Sequence, residues 1–319
     1  MTHDLAPYPG AALTATQFQQ LADVPPETTW FANITNPQTR RAYQNDLRDF
    51  MRFTGIGDPA QFRVATRAHV LAWRKDLEAR ALSGATIRRK LAALASLYSY
   101  LCESHAVTHN PVNGVKRPVI ASQEGKTPAI GDHEARALLD APDPTTLQGL
   151  RDRAILAVLL YHGLRRGELC RLTVGDLQTR RGVPHLRVHG KGGKMRYIPV
   201  HPAAAERIDA YLERAGHRED LQGALFRAVR NNVHGNARAS ITPDGVYKML
   251  MGYARSVRIQ VEGFGPHALR ATAATNALEN EADIAKVQTW LGHANISTTR
   301  VYDRRKMRPE DSPTYKVKY

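Results

Sequence analysis

No apolar run in the sequence could cross a bilayer, because the longest, Ala154 to Tyr161, falls far short of the ~20 residues a spanning helix needs. No membrane span is therefore expected. Cysteine is scarce: Cys102 and Cys170 lie far apart in helix-like stretches, without the paired spacing of a zinc site or the density of a disulfide framework. Both are expected to be buried thiols. The first 30 residues carry Asp4, Pro7, Pro9, Pro25 and Pro26 and lack a basic start, an apolar h-region and a small-residue cleavage site, so they do not read as a secretory signal. A cytoplasmic protein is expected. There is no internal repeat and no low-complexity tract. Negative charge is also short, with 30 Asp and Glu against 45 Lys and Arg, a formal net charge of +15. That field favours a polyanion, most commonly DNA or RNA, although a ribosomal or membrane-surface protein would carry the same balance.

At 319 residues the chain can bury two cores of ordinary size. Asn36-Pro37 reads as a helix N-cap followed by proline at the first helical position, and Tyr43, Leu47 and Phe50 then recur at helical spacing over about five turns. The other faces of this helix carry Arg40, Arg41, Arg48 and Arg52, which would line a DNA groove or simply form a solvated face. A second helix is expected from about Thr66 to Leu82. A third begins near Ser83 and places Ile87, Leu91, Leu94, Tyr98 and Leu101 on one core stripe, with Arg88 and Arg89 as further DNA-contact candidates. Asn110-Pro111 ends this helical unit. The segment from Val112 to Pro128, with its prolines, glycines and Lys116-Arg117, has linker composition. Beyond it, helices are expected near Asp132 to Ala141, Leu150 to His162, Pro202 to Ala215, Asp244 to Arg258, Pro266 to Leu278 and Ala282 to Leu291. The two clearest strands, His185 to His189 and Met195 to Val200, flank Gly190-Lys191-Gly192-Gly193-Lys194 as a hairpin.

Taken singly, the polar fragments are weak signals. In Gly163-Leu164-Arg165-Arg166-Gly167-Glu168-Leu169 two arginines follow an apolar helix, where the helix dipole and solvation would explain them. Lys191 and Lys194 on an exposed turn would ordinarily serve solubility. His267 and Arg270, three apart on a helix opening at Pro266, project from one face and could grip one anion together near the helix start, or could bridge helices. Gly292 sits where a left-handed residue would stop the helix carrying Ile284, Val287 and Leu291, so His293 emerges at a fixed corner. The following helix, with Asn295 or Ser297 as cap, is expected to carry Tyr302 among the polar and basic Thr298, Thr299, Arg300, Asp303 and Arg304. A core tyrosine would have more apolar company.

As an ordered set, GLRRGEL, the GKGGK hairpin, HALR, LGH and TTRVY resemble the tyrosine recombinases, also called phage integrases. The resemblance covers nearly the whole catalytic half and is strongest to the compact Xer-type members, since about thirty residues precede the first helical unit and an extra arm-binding domain would not fit there. It implies a mainly α fold with a small β-sheet or hairpin: a helical SAM-like core-binding domain plus a mixed α/β catalytic domain. The expected division is an extension over residues 1–30, a DNA-clamping domain over 31–112, a linker over 113–128, a catalytic domain over 129–303 and a tail over 304–319.

Carried over by position, the resemblance makes Tyr302 the nucleophile, Arg165 and Arg270 the two catalytic arginines and His267 the histidine beside the second. Lys191, ahead of Lys194, would be the catalytic lysine, His293 would fill the His/Trp position, and Glu168 would be an acidic accessory residue. The implied partners are double-stranded DNA with specific recombination sites and three further copies of the chain, a dimer on each of two sites, with Tyr315 and Val317 of the tail as plausible anchors on the adjacent subunit. No metal or other cofactor is expected. A type IB topoisomerase and a non-catalytic DNA-binding regulator are the competing readings.

Overall fold

The structure is a computed structural model that describes residues 20–21, 24–119, 128–190, 193–229 and 238–303. The chain divides into two compact units, Met1–Ser122 and Gln123–Tyr319. The described part of the first is helical: α1 (Pro26–Asn33), α2 (Pro37–Thr54), a 3-10 turn (Pro59–Val64), α3 (Arg67–Ala79) and α4 (Gly84–Glu103). Asn36 caps α2 by accepting hydrogen bonds from the Gln38 and Thr39 amides at 2.9 and 3.1 Å, a device worth ~1 kcal/mol. Gly55, at φ +77°, ends the helix in the left-handed region. The expected α4 stripe is buried in full, and Phe50 of α2 packs edge-on against Trp73 of α3 with ring centroids 5.0 Å apart.

Eight further helices, three strands and a short 3-10 turn are described in the second unit. In order they are α5 (Asp132–Asp140), α6 (Leu147–His162), α7 (Arg166–Leu169), the 3-10 turn (Val174–Asp176), β1 (Leu177–Arg180), β2 (Val183–His189), β3 (Met195–Pro199), α8 (Pro202–Ala215), α9 (Pro243–Ser256), α10 (Pro266–Glu279), α11 (Ile284–Leu291) and α12 (Ser297–Arg300). The strands form an antiparallel sheet in the order β1-β2-β3. Leu186 pairs with both Leu177 and Ile198, which places Leu186, Val188 and Ile198 on the buried face. Sequence reading missed β1, because Leu177-Gln178-Thr179-Arg180 carries one apolar side chain and shows no alternation.

Helix α6 is the centre of this unit. Every residue from Ala154 to Leu160 is buried, which explains why the apolar run shows no polar stripe: a helix packed on all sides has no face left for water. Helix α10 is likewise buried from Ala268 to Thr275, and apart from Leu269 and Arg270 these residues are all Ala or Thr, small enough to let it pack closely against α6. Two expectations fail. Helix α6 starts a turn earlier than Leu150, because Thr146 caps it through the Gly149 amide at 3.0 Å. Cys102 and Cys170 are half-buried rather than buried: Cys102 is the second-last residue of α4, and Cys170 follows α7 and packs only against the edge of the core.

Gly149 gives a direct test of this packing. A Cβ there would lie 1.7 Å from the Asp143 carbonyl oxygen, and that atom belongs to backbone tied by its own turn. Gly149→Ala is expected to destabilise the unit by about 1–3 kcal/mol through overpacking, read as a lower melting temperature. Ala at the exposed Gly182, whose φ is +76° but which meets nothing within 4 Å, should cost less, about 1 kcal/mol of backbone strain.

Candidate active site

Four of the expected site residues converge at helix ends in the second unit. Gly163 closes α6 at φ +58°, and a Cβ there would meet Leu291 Cδ2 at 2.8 Å, so glycine permits both the turn and the approach of α11. Arg165, two residues on, precedes α7, and Glu168 closes a capping box by accepting the Arg165 backbone N–H at 2.9 Å. The same carboxylate accepts Arg165 Nη1 at 2.9 Å and the two Nη groups of Arg196 at 3.2 and 2.8 Å. Four donors therefore meet two oxygens, all the acceptor capacity a carboxylate has. Burial alone would raise the Glu168 pKa, but the Arg196 and Arg165 donors hold it down to about 2.

Arg270 has no exposed surface. Its guanidinium donates to the Gly163 carbonyl, to the Leu291 carbonyl at 2.6 Å and to His293 Nε2 at 2.8 Å. Arginine has no acceptor, so Nε2 must accept, and the neutral ring carries its proton on Nδ1, which donates to Thr299 Oγ1 at 2.9 Å. Burial, followed by the Arg270 and Arg165 cations, lowers the His293 pKa to about 4, consistent with that neutral tautomer. Arg270 Nε is left without a hydrogen-bond partner.

His267 stands at the surface one turn before Arg270. Desolvation by its neighbours, then the Arg270 and Arg165 cations, lowers its pKa. Tyr302 corrects the expectation drawn from its neighbours in sequence. It follows α12 in a turn, is only 4% exposed, and packs with Ala271, Ala274, Leu278, Val287 and Leu291. Thr298 and Arg300 are exposed while Thr299 and Tyr302, three apart, are buried, so a polar stretch of sequence still delivers one aromatic ring to an apolar cluster. Its ring centroid lies 6.1 Å from that of His293. Burial raises the phenol pKa while Arg270 and Arg165 pull it down.

Lys191 lies outside the described residues, as do Tyr315, Val317 and the rest of the tail; Lys194 is exposed. In the first unit the expected DNA contacts differ in what they are free to do. Arg41, Arg48 and Arg52 lie along one exposed face of α2. Arg40 instead holds the Ile34 and Ala32 carbonyls, and Arg89 pairs with the buried Asp46. Arg88 reaches the Pro118 carbonyl at 3.3 Å, while Lys116 and Arg117 are exposed. Sequence reading missed two members of the central cluster. Arg196 was signalled by strand alternation, which puts it on the same inward face as Ile198. In sequence Thr299 is only a polar neighbour of Tyr302, since nothing in one dimension shows that its hydroxyl meets His293.

The family model described as "Phage integrase family" matches residues 129–308, and "Phage integrase, N-terminal SAM-like domain" matches residues 33–105. A tyrosine recombinase XerD of Listeria monocytogenes is 33% identical over 270 residues, 83% of this chain and 86% of the relative. A tyrosine recombinase XerC of Pelotomaculum thermopropionicum is 32% identical over 280 residues, 84% and 87% of the two chains. Among solved structures, the XerH site-specific recombinase bound to palindromic difH substrate in a post-cleavage complex shares the fold, with a TM-score of 0.65 and 20% identity over 82% of this chain and 75% of that one. A helical SAM-like unit and an integrase-type catalytic unit, matched together along most of the length, make this chain a member of the tyrosine recombinase (phage integrase) family.

Proposed function

We propose that the chain recombines DNA at specific sites by cutting and rejoining strands through a covalent bond to Tyr302. The observation that carries this reading is the junction where Arg270 meets His293 at 2.8 Å and the His293 ring stands 6.1 Å from that of Tyr302, with Arg165 and His267 beside them. Two permanently charged guanidiniums with two imidazoles beside them suit a phosphate. Residues 31–112 would clamp the duplex, with Arg41, Arg48 and Arg52 facing its backbone, residues 113–128 would link to the catalytic part over 129–303, and affinity should fall steeply with salt.

In the reaction, the phenol oxygen of Tyr302 attacks the scissile phosphorus, the new bond is a 3′-phosphotyrosyl ester, and the bond to the 5′ oxygen breaks. Charge builds on the non-bridging oxygens, where Arg165 and Arg270 neutralise it. A guanidinium is planar and permanently charged and matches two such oxygens. Arg270 Nε, unpartnered at rest, is the donor available to one of them. His267 is neutral because its pKa lies below the ordinary value, so it can accept the phenol proton, and Lys191 supplies a proton to the departing 5′ oxygen. His293 fixes Arg270 at rest and can turn to the phosphate. Because Tyr302 is covered, the turn after α12 has to shift when DNA binds. The freed 5′ hydroxyl of a partner strand then attacks the phosphotyrosyl ester and regenerates the phenol, so the bond energy is conserved and neither ATP nor a divalent metal is consumed. Four protomers on two duplexes complete the exchange.

Tests follow on a nicked duplex carrying the site selected from a random pool. Wild type is expected to leave a covalent adduct on a denaturing gel, with or without chelator, and Tyr302→Phe to bind without any adduct; binding without adduct by wild type would favour a regulator. Arg165→Lys and Arg270→Lys should each slow cleavage by ~10²–10³-fold, and near-normal rates would remove these residues from the phosphate site. A 5′-bridging phosphorothioate, whose leaving group needs no proton, should rescue Lys191→Ala; failure to rescue would exclude Lys191 as the acid.

A further inference from the structure

Arg196 occupies a position where a strand of this kind calls for an apolar side chain. It lies on β3 directly opposite Val188 and two residues before Ile198, both of them core residues, and its own side chain is only 14% exposed. A charge on the buried face of a sheet is costly unless its geometry is well satisfied. Here it is satisfied in a way that ties separate pieces of the site together. The two Nη groups grip both oxygens of Glu168, and Nε donates to the Trp290 carbonyl at 3.1 Å. Farther along, the guanidinium lies against Gly292, where a Cβ would stand 3.2 Å from Arg196 Nη1.

Each of those contacts leads to a residue of the cluster. Glu168 shares Oε1 between Arg196 Nη1 and Arg165 Nη1, so the carboxylate is a hinge between the two guanidiniums. Trp290 and Gly292 bracket Leu291, whose carbonyl holds Arg270, and Gly292 immediately precedes His293. We propose, resting on the recombinase reading above, that Arg196 is a positioning residue for strand cleavage, fixing Arg165 through Glu168 and the Arg270–His293 corner through the last turn of α11. It does not touch the phosphate. Its planar fork spans two oxygens and a carbonyl at once, which an ammonium on a lysine stem cannot reproduce.

Removal of Arg196 leaves Glu168 with half its donors, and the carboxylate then draws on Arg165 alone. The Arg165 side chain, 43% exposed, has little else to hold it. Displacement of a phosphate-binding group by about an ångström is enough to cost ~10²-fold in rate.

The test is single-turnover cleavage of the nicked duplex by wild type, Arg196→Lys, Arg196→Ala, Glu168→Gln and the double variant Arg196→Lys/Glu168→Gln, with duplex affinity and thermal melting measured on each. Arg196→Lys and Arg196→Ala are expected to slow cleavage by ~10²-fold with duplex affinity within about 3-fold of wild type. Added guanidinium ion should restore part of the Arg196→Ala rate. The double variant should be no slower than the worse of its two single variants, because both substitutions break the same link. If Arg196→Ala does not fold, Arg196→Lys carries the comparison alone. Cleavage by the folded variants at near the wild-type rate, a loss that follows melting with no guanidinium rescue, or additive losses in the double variant would each overturn the inference while the recombinase reading stands. No adduct from wild type would overturn both.

Discussion

A guanidinium with no exposed surface must find its hydrogen bonds inside the protein, and Arg270 finds them at two helix ends. The last carbonyls of a helix have no partner within it and carry the negative end of its dipole. Gly163 at the end of α6 and the Leu291 carbonyl at the end of α11 supply such oxygens to one cation. Two left-handed glycines, Gly163 and Gly292, are what allow both helices to stop at that point. The rest of the site follows from this junction: Arg165 leaves α6 two residues after Gly163, and His293 leaves α11 one residue after Gly292.

The junction is electrostatically unbalanced. Three arginines, Arg165, Arg196 and Arg270, stand near one carboxylate, Glu168, which binds only the first two, and burial, followed by Arg270 and Arg165, pushes the two histidines beside them toward the neutral form. Burial first, and then the Arg165 cation, drive the Arg270 pKa itself down to about 10. Proteins tolerate local conflicts of this kind where function requires them. Under the proposed function, a phosphate diester among these groups would relieve the repulsion between them.

Much of the architecture could be read in one dimension because it is governed by local rules. The proline and asparagine at the start of α2, the glycine that ends α11 and the apolar stripe of α4 each act within a few residues. The α10 helix and the His267–Arg270 spacing were equally plain. Elements whose own stretch carries little pattern were not: β1 pairs with the next strand across the Arg181-Gly182 turn but shows no alternation of its own, and the first turn of α6 depends on how residues 143–146 fold back against Gly149. Tyr302 is the clearest case. Polar neighbours in sequence suggested a wet environment, yet the side chains that enclose it come from α10 and α11, and only folding brings them there.

By itself the sequence determined which residue types would be present and in what order: two arginines, a lysine, two histidines, an acid and a tyrosine, on or beside elements whose starts and stops are largely written in local caps and turns. Tertiary structure decided which of those groups touch. That Arg196 completes Glu168, that His293 accepts from Arg270 and donates to Thr299, and that Tyr302 rests covered all depend on contacts between residues six or more positions apart, 28 in the case of Arg196 and Glu168. Hydrogen bonds and burial are set by distance in space, and chain order constrains that distance only over a turn or two of helix.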